Sequence, residues 1–245
     1  MPRPALSPIR SAHWLVILAF AATVPGLGCQ SQEAAGPPGP HEASTLAAAE
    51  GASPPPVASG PRIVVLGDSL TAGLGIDPAQ AFPAQLERRL KAEGYLATVV
   101  AAGVSGDTTA GGLRRLDWAL SGDVRILIVA LGGNDGLRGL PVAEVKQNLA
   151  EIISRAQARG IAVMLTGMEA PPNFGRTYTV EFREAFHELA REHRVTFVPF
   201  LLAGVAGEAR LNQRDGIHPN PEGARAVADH LWPTLQSMLD RALTQ

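Results

Sequence analysis

The chain is short of several things, and each shortage excludes a class of protein. It has one cysteine in 245 residues, so a disulfide framework and any zinc site built on several thiolates are excluded. Aromatic residues make up 5%, too few for base-stacking platforms. Neither sign of charge is in excess: 21 Lys+Arg stand against 23 Asp+Glu. A net charge of −2 leaves no basic footprint for nucleic acid and no polyanionic tail. Only 18% of residues are charged against 46% hydrophobic, a balance that excludes global disorder and supplies a core.

The first sixty residues differ from the rest. Arg3, Arg10 and His13 precede an apolar run from Trp14 to Gly28 that ends at Cys29. A charged start, a short apolar stretch and small residues before a break point make a secretory signal, expected over residues 1–28. The run falls short of the ~20 residues that span a bilayer as a helix. Residues 29–61 follow, rich in Pro, Ala, Gly and Ser, with Pro37, Pro38, Pro40, Pro54, Pro55, Pro56 and Pro61. Such a composition predicts a flexible tether without helix or strand. The segment Gly26-Leu27-Gly28-Cys29 resembles the lipobox of bacterial lipoproteins, with Gly26 where that pattern prefers leucine. The resemblance implies lipidation at Cys29 and a membrane anchor for an exported, periplasmic or outer-membrane protein.

From residue 62 to 245 short apolar runs alternate with amphipathic stretches. Strands are expected at 63–66, 95–102, 125–131, 161–167 and 195–200, and helices at 79–93, 109–121, 142–159, 179–193 and 221–243. Five strands alternating with helices predict one α/β domain, a three-layer α/β/α sandwich around a five-stranded parallel sheet. In such sheets ligands lie beyond the carboxyl ends of the strands. Four polar, glycine-bearing turns fall at that edge: Gly67-Asp68-Ser69-Leu70, Gly103-Val104-Ser105-Gly106-Asp107-Thr108, Gly132-Gly133-Asn134-Asp135 and Asp215-Gly216-Ile217-His218-Pro219. Taken singly, each also reads as a turn or helix cap.

These four blocks, in this order, resemble those of the SGNH/GDSL hydrolase superfamily, in its bacterial thioesterase, lysophospholipase and arylesterase branch. The resemblance covers the whole domain and implies the flavodoxin-like SGNH fold and a serine esterase. It assigns Ser69 as nucleophile, His218 as base and Asp215 as the carboxylate that orients the base. Ser69, Gly106 and Asn134 would donate to the oxyanion, and Leu137, Ala170 and Pro171 would line the acyl site. Asp68 and Asp135 are expected to hold loops by local hydrogen bonds. Ala102 stands where the family often has asparagine. The residues support the assignment independently. Among six histidines, His218 is the one that a loop places three residues from an acid, and ester hydrolysis needs a nucleophile, a base and an orienting group.

Rival readings use the same turns. Ser105 sits in a sequence approaching a G-x-S-x-G elbow, but its fifth residue is Asp107. Asp68, Asp135, Asp215 and His218 could serve a metal phosphoesterase, yet no H-x-H or D-x-H pair accompanies them. No metal or cofactor is expected, nor any nucleotide fingerprint. The expected partner is a small ester, thioester or lysophospholipid, and a monomer is favoured. The alternative from another class is a tethered lipid- or acyl-binding protein on a hydrolase scaffold.

Overall fold

Strands form where β-branched and leucine residues run together, and helices form where apolar residues recur every three or four positions. In the computed structural model, which describes residues 60–242, β1 spans Arg62–Gly67, β2 Thr98–Gly103, β3 Val124–Ala130, β4 Ala162–Thr166 and β5 Thr196–Val198. All pair in parallel, in the order β2-β1-β3-β4-β5. Ile63 to Leu66 and Ile126 to Leu131 are at most 1% exposed. Burial this complete on consecutive residues requires cover on both faces of the sheet, which explains why β1 and β3 read as unbroken apolar runs.

The helices are α1 (Ser69–Ala72), α2 (Phe82–Ala92), α3 (Thr109–Arg114), α4 (Leu116–Ala119), α5 (Gly133–Leu137), α6 (Val142–Gln157), α7 (Arg176–His193) and α8 (Pro221–Ala242). Helix α2 buries Phe82, Leu86 and Leu90 at four-residue spacing and packs on β2 and α8. Helix α6 buries Val145, Leu149, Ile152 and Ala156, and packs on α3 and α7. Sheet and helices make the expected α/β fold. Phe182 and Phe186 of α7, fully buried, stand in edge contact at 5.4 Å between ring centres. Removing either ring would cost roughly 3–5 kcal/mol.

Several expected elements differ in extent; the helix expected over 79–93 starts at Phe82, after a short 3-10 turn at Pro78–Gln80, and the one expected from 179 starts at Arg176. The helix expected over 109–121 is two short helices, broken at Arg115, where φ is −106° and ψ 10°. The strand expected from 95 starts at Thr98, after Gly94 turns the chain with φ +82°. The last strand is cut to three residues, because Pro199 has no N–H to give a ladder. The expected signal, the tether and Cys29 lie outside the described residues.

In this strand order the chain reverses direction between β1 and β3, which opens a crevice beyond their carboxyl ends. The chain leaves β1 directly into α1 and leaves β3 into α5. Two glycines permit the first of these moves. A Cβ on Gly67 would lie 1.9 Å from Thr71 Oγ1, and one on Gly103 would lie 2.4 Å from the Ala72 nitrogen. Helix α1 therefore rests on bare backbone at the ends of β1 and β2.

Candidate active site

Ser69 is the first residue of α1, so its N–H has no acceptor one turn earlier in the helix. Asp68 caps the helix, its Oδ1 accepting from the Leu70 N–H at 3.0 Å. Ser69 is 9% exposed, and its hydroxyl opens on the crevice.

His218 comes from the far end of the sequence, in a loop pinned on both sides. Asn212 and Pro219 form an isolated antiparallel bridge, and the Gln213 N–H donates to the His218 carbonyl at 2.7 Å. The Asn220 side chain accepts from the N–H groups of Glu222 and Gly223, which caps α8. Held this way, His218 puts Nε2 2.9 Å from Ser69 Oγ. Its Nδ1 lies 2.7 Å from Asp215 Oδ2.

Asp215 Oδ1 accepts from the N–H groups of Ile217 and His218, at 2.9 and 3.0 Å. Those two bonds, followed by the imidazole bond, hold its carboxyl at a pKa of about 2, below the usual 3.8. An ionised acceptor on Nδ1 keeps that nitrogen protonated and leaves Nε2 to accept from the Ser69 hydroxyl.

The second loop is a tight turn. The Asp107 N–H donates to the Val104 carbonyl at 3.0 Å, and Gly106 takes φ +84° at the turn's third position, which a type II turn reserves for glycine. Arg138 Nη2 donates to the Gly106 carbonyl at 3.0 Å, so the turn is tied to the end of α5. Helix α5 presents Asn134, whose Nδ2 donates to Asp107 O at 2.9 Å and to Asp68 Oδ2 at 3.2 Å.

Asp68 is buried among these groups. Desolvation dominates its electrostatics and lifts its pKa to about 6, against the hydrogen bonds that oppose the rise. Asp135 departs from the expectation of local bonds. Its carboxylate, 1% exposed, accepts from the backbone N–H and hydroxyl of Thr109, 26 residues away. It thereby ties α5 to the start of α3 and stands apart from the Ser69–His218 pair.

A cleft of about 610 Å³ opens beside Ser69 and His218. The expected Leu137, Ala170 and Pro171 line it, together with Asn134. Gly106 is not among its lining residues, but the residue after it, Asp107, accepts from the Asn134 amide through its carbonyl. Phe200, Leu202, Ala206 and Ile217 complete the apolar wall. Sequence reasoning missed these four, which come from the segment after β5 and from inside the Asp215–His218 turn. The apolar run from Phe200 to Leu202, lying just past a strand end, was the available signal. Ser105 is exposed at the tip of its turn, while the imidazole nitrogen nearest a hydroxyl is given to Ser69.

Fold and site together define a class: an α/β protein carrying a hydrogen-bonded Ser–His–Asp chain at its switch point, beside an apolar cleft. The chain matches the GDSL-like Lipase/Acylhydrolase family over residues 65–226, and it belongs to that family. It is 43% identical over 183 residues to the esterase TesA of Pseudomonas aeruginosa, an alignment covering 74% of this chain and 91% of the relative. It is 35% identical over 184 residues to thioesterase 1/protease 1/lysophospholipase L1 of Escherichia coli K12, covering 75% and 87%. Among solved structures it resembles the psychrotrophic esterase EstA from Pseudoalteromonas sp., inhibited by monoethylphosphonate. There the TM-score is 0.70 and the identity 30%, over 73% of this chain and 98% of the other.

Proposed function

We propose that this protein is a cofactor-independent serine hydrolase of carboxylic esters with short or medium acyl or aryl groups. The observation that carries the reading is the unbroken hydrogen-bonded path from Ser69 Oγ through His218 to the Asp215 carboxylate, facing an apolar cleft. His218 Nε2 takes the hydroxyl proton as Ser69 Oγ bonds to the acyl carbon. The carbonyl electron pair moves onto oxygen, where the N–H groups of Ser69 and Gly106 and the Asn134 amide receive it. Collapse expels the alcohol with the proton from His218 and leaves an acyl-serine. Water, deprotonated by His218, then releases the acid and restores the hydroxyl. Asp215 steadies the imidazolium in both halves without accepting its proton.

The cleft is large for an acetyl group and suits longer chains. The relatives named as esterase and as thioesterase and lysophospholipase extend the reading to acyl thioesters and lysophospholipids. For the N-terminal part we retain export as the reading. Residues 1–28 serve as signal, Cys29 carries lipid, and residues 29–61 tether the 62–245 domain to a membrane, with a span of roughly 30 Å by random-coil scaling.

Hydrolysis of p-nitrophenyl esters of increasing chain length, beside a lysophospholipid and with chelator present throughout, tests the activity. The reading expects turnover in chelator. An inert chain that still binds fatty acid would make it an acyl-binding protein instead.

A further inference from the structure

Arg115 occupies the break between α3 and α4, and its side chain turns back toward the sheet. Its Nε donates to Asp107 Oδ2 at 2.6 Å, its Nη1 to the Ala102 carbonyl at 2.9 Å and its Nη2 to the Gly67 carbonyl at 2.7 Å. Both Arg115 and Asp107 side chains are only 17% exposed. A guanidinium is a planar fork of fixed donors, and here three of them meet three acceptors that water does not reach freely.

The acceptors are not scattered. Gly67 is the last residue of β1, two before Ser69. Ala102 lies at the end of β2, four residues before Gly106. Asp107 directly follows Gly106, and its own carbonyl receives the Asn134 amide. Each of the three donors assigned to the oxyanion is thus within a few residues, or one hydrogen bond, of a group that Arg115 grips.

We propose that Arg115 is a positioning residue that sets the spacing between the Ser69 turn, the Gly106 turn and Asn134, and through it the fit of the oxyanion site. The inference rests on the serine hydrolase reading above. Arg115 is not among the residues that line the cleft, so its effect falls on the transition state rather than on substrate binding. A donor misplaced by a fraction of an ångström loses most of its worth when charge develops, whereas an apolar cleft binds the acyl chain as before.

The test compares Arg115→Met, Arg115→Lys and the neighbouring exposed Arg114→Met with the wild-type chain on one p-nitrophenyl ester. Folding is checked by circular dichroism. Arg115→Met lowers kcat about 10- to 100-fold with KM within about twofold. Arg115→Lys, which keeps the charge beside Asp107 but loses the fork, falls between. Arg114→Met matches wild type. If Arg115→Met does not fold, Asp107→Asn loosens the same grip from the other side and is read by the same split of kcat from KM. A folded Arg115→Met with kcat within twofold of wild type, or with only KM raised, overturns the inference. A wild-type chain inert toward every ester would instead overturn the hydrolase reading, so the two failures are distinguishable.

Discussion

The side-chain nitrogen of Asn134 lies 2.9 Å from the Asp107 carbonyl and 3.2 Å from the Asp68 carboxylate, so both its hydrogens are engaged in the resting site. The shorter bond fixes the amide to the second loop. The longer one points it at the residue beside Ser69. On the proposed mechanism, an oxyanion forming on the carbonyl oxygen of a substrate attacked by Ser69 would compete with the Asp68 carboxylate for that second hydrogen. Asp68 then holds the amide in place until charge appears on the substrate.

Asn134→Ala removes a donor aimed at developing charge. The expected loss in kcat is about 10²–10³, with KM changed far less, measured on the best p-nitrophenyl ester. A loss confined to KM would place Asn134 in binding and not in charge stabilisation.

Asp68 binds its proton more tightly folded than unfolded, with a pKa of about 6 against 3.8. Between those values the folded chain holds the extra proton, so this group's contribution to stability falls as pH rises through the window. The difference is about 3 kcal/mol from the size of the shift, complete above pH 6 and absent below 3.8. Asp68→Asn lacks the effect. Its Tm relative to wild type should therefore move in its favour from pH 4 to pH 6.5, as thermal denaturation at several pH values would show. A constant Tm difference across that range would contradict the assignment.

Asp215 has the opposite sign. Its folded pKa of about 2 lies below 3.8, so its contribution is present above the ordinary value and is lost as pH falls toward 2. It stays ionised across the working range. Asp215→Asn is expected to leave the fold intact and to cost about 10³–10⁴ in kcat at pH 7. A variant within tenfold of wild type would mean that the backbone alone orients His218.

The sheet was legible because β1 and β3 are buried on both faces and so carry unbroken apolar runs. That Ser69, Asn134, Asp215 and His218 gather beside one cleft was legible because their turns carry chemistry in a recognisable order. Arg115 was not. It lies inside what reads as one helix, and only the break there shows that the side chain leaves the surface for the strand ends. Asp135 holds its loop as expected, but its partner was hidden for a related reason. Its partner Thr109 is distant in sequence, and spacing reveals only local bonds. Phe200 and Ile217 were missed because the cleft wall is assembled from segments that share no period.

Ala170 lines the cleft and its Cα lies 3.3 Å from where a Cβ on Gly136 would stand. Enlarging it fills the cleft from the side of α5. Ala170→Phe should shift the preferred acyl chain shorter by about two or more carbons while butyrate or acetate hydrolysis stays within about threefold, since added bulk excludes the longer occupant first. An unchanged chain-length profile would remove Ala170 from the acyl site.

The central claim is that Ser69 is the nucleophile, and covalent labelling tests it most directly. The chain is treated with a p-nitrophenyl alkylphosphonate, which transfers its phosphonyl group to an activated serine and releases p-nitrophenolate. One adduct per chain, on the peptide carrying Ser69, is expected, with activity lost in proportion and no adduct on Ser69→Ala. An adduct on Ser105, or full activity in a folded Ser69→Ala chain, would contradict the account.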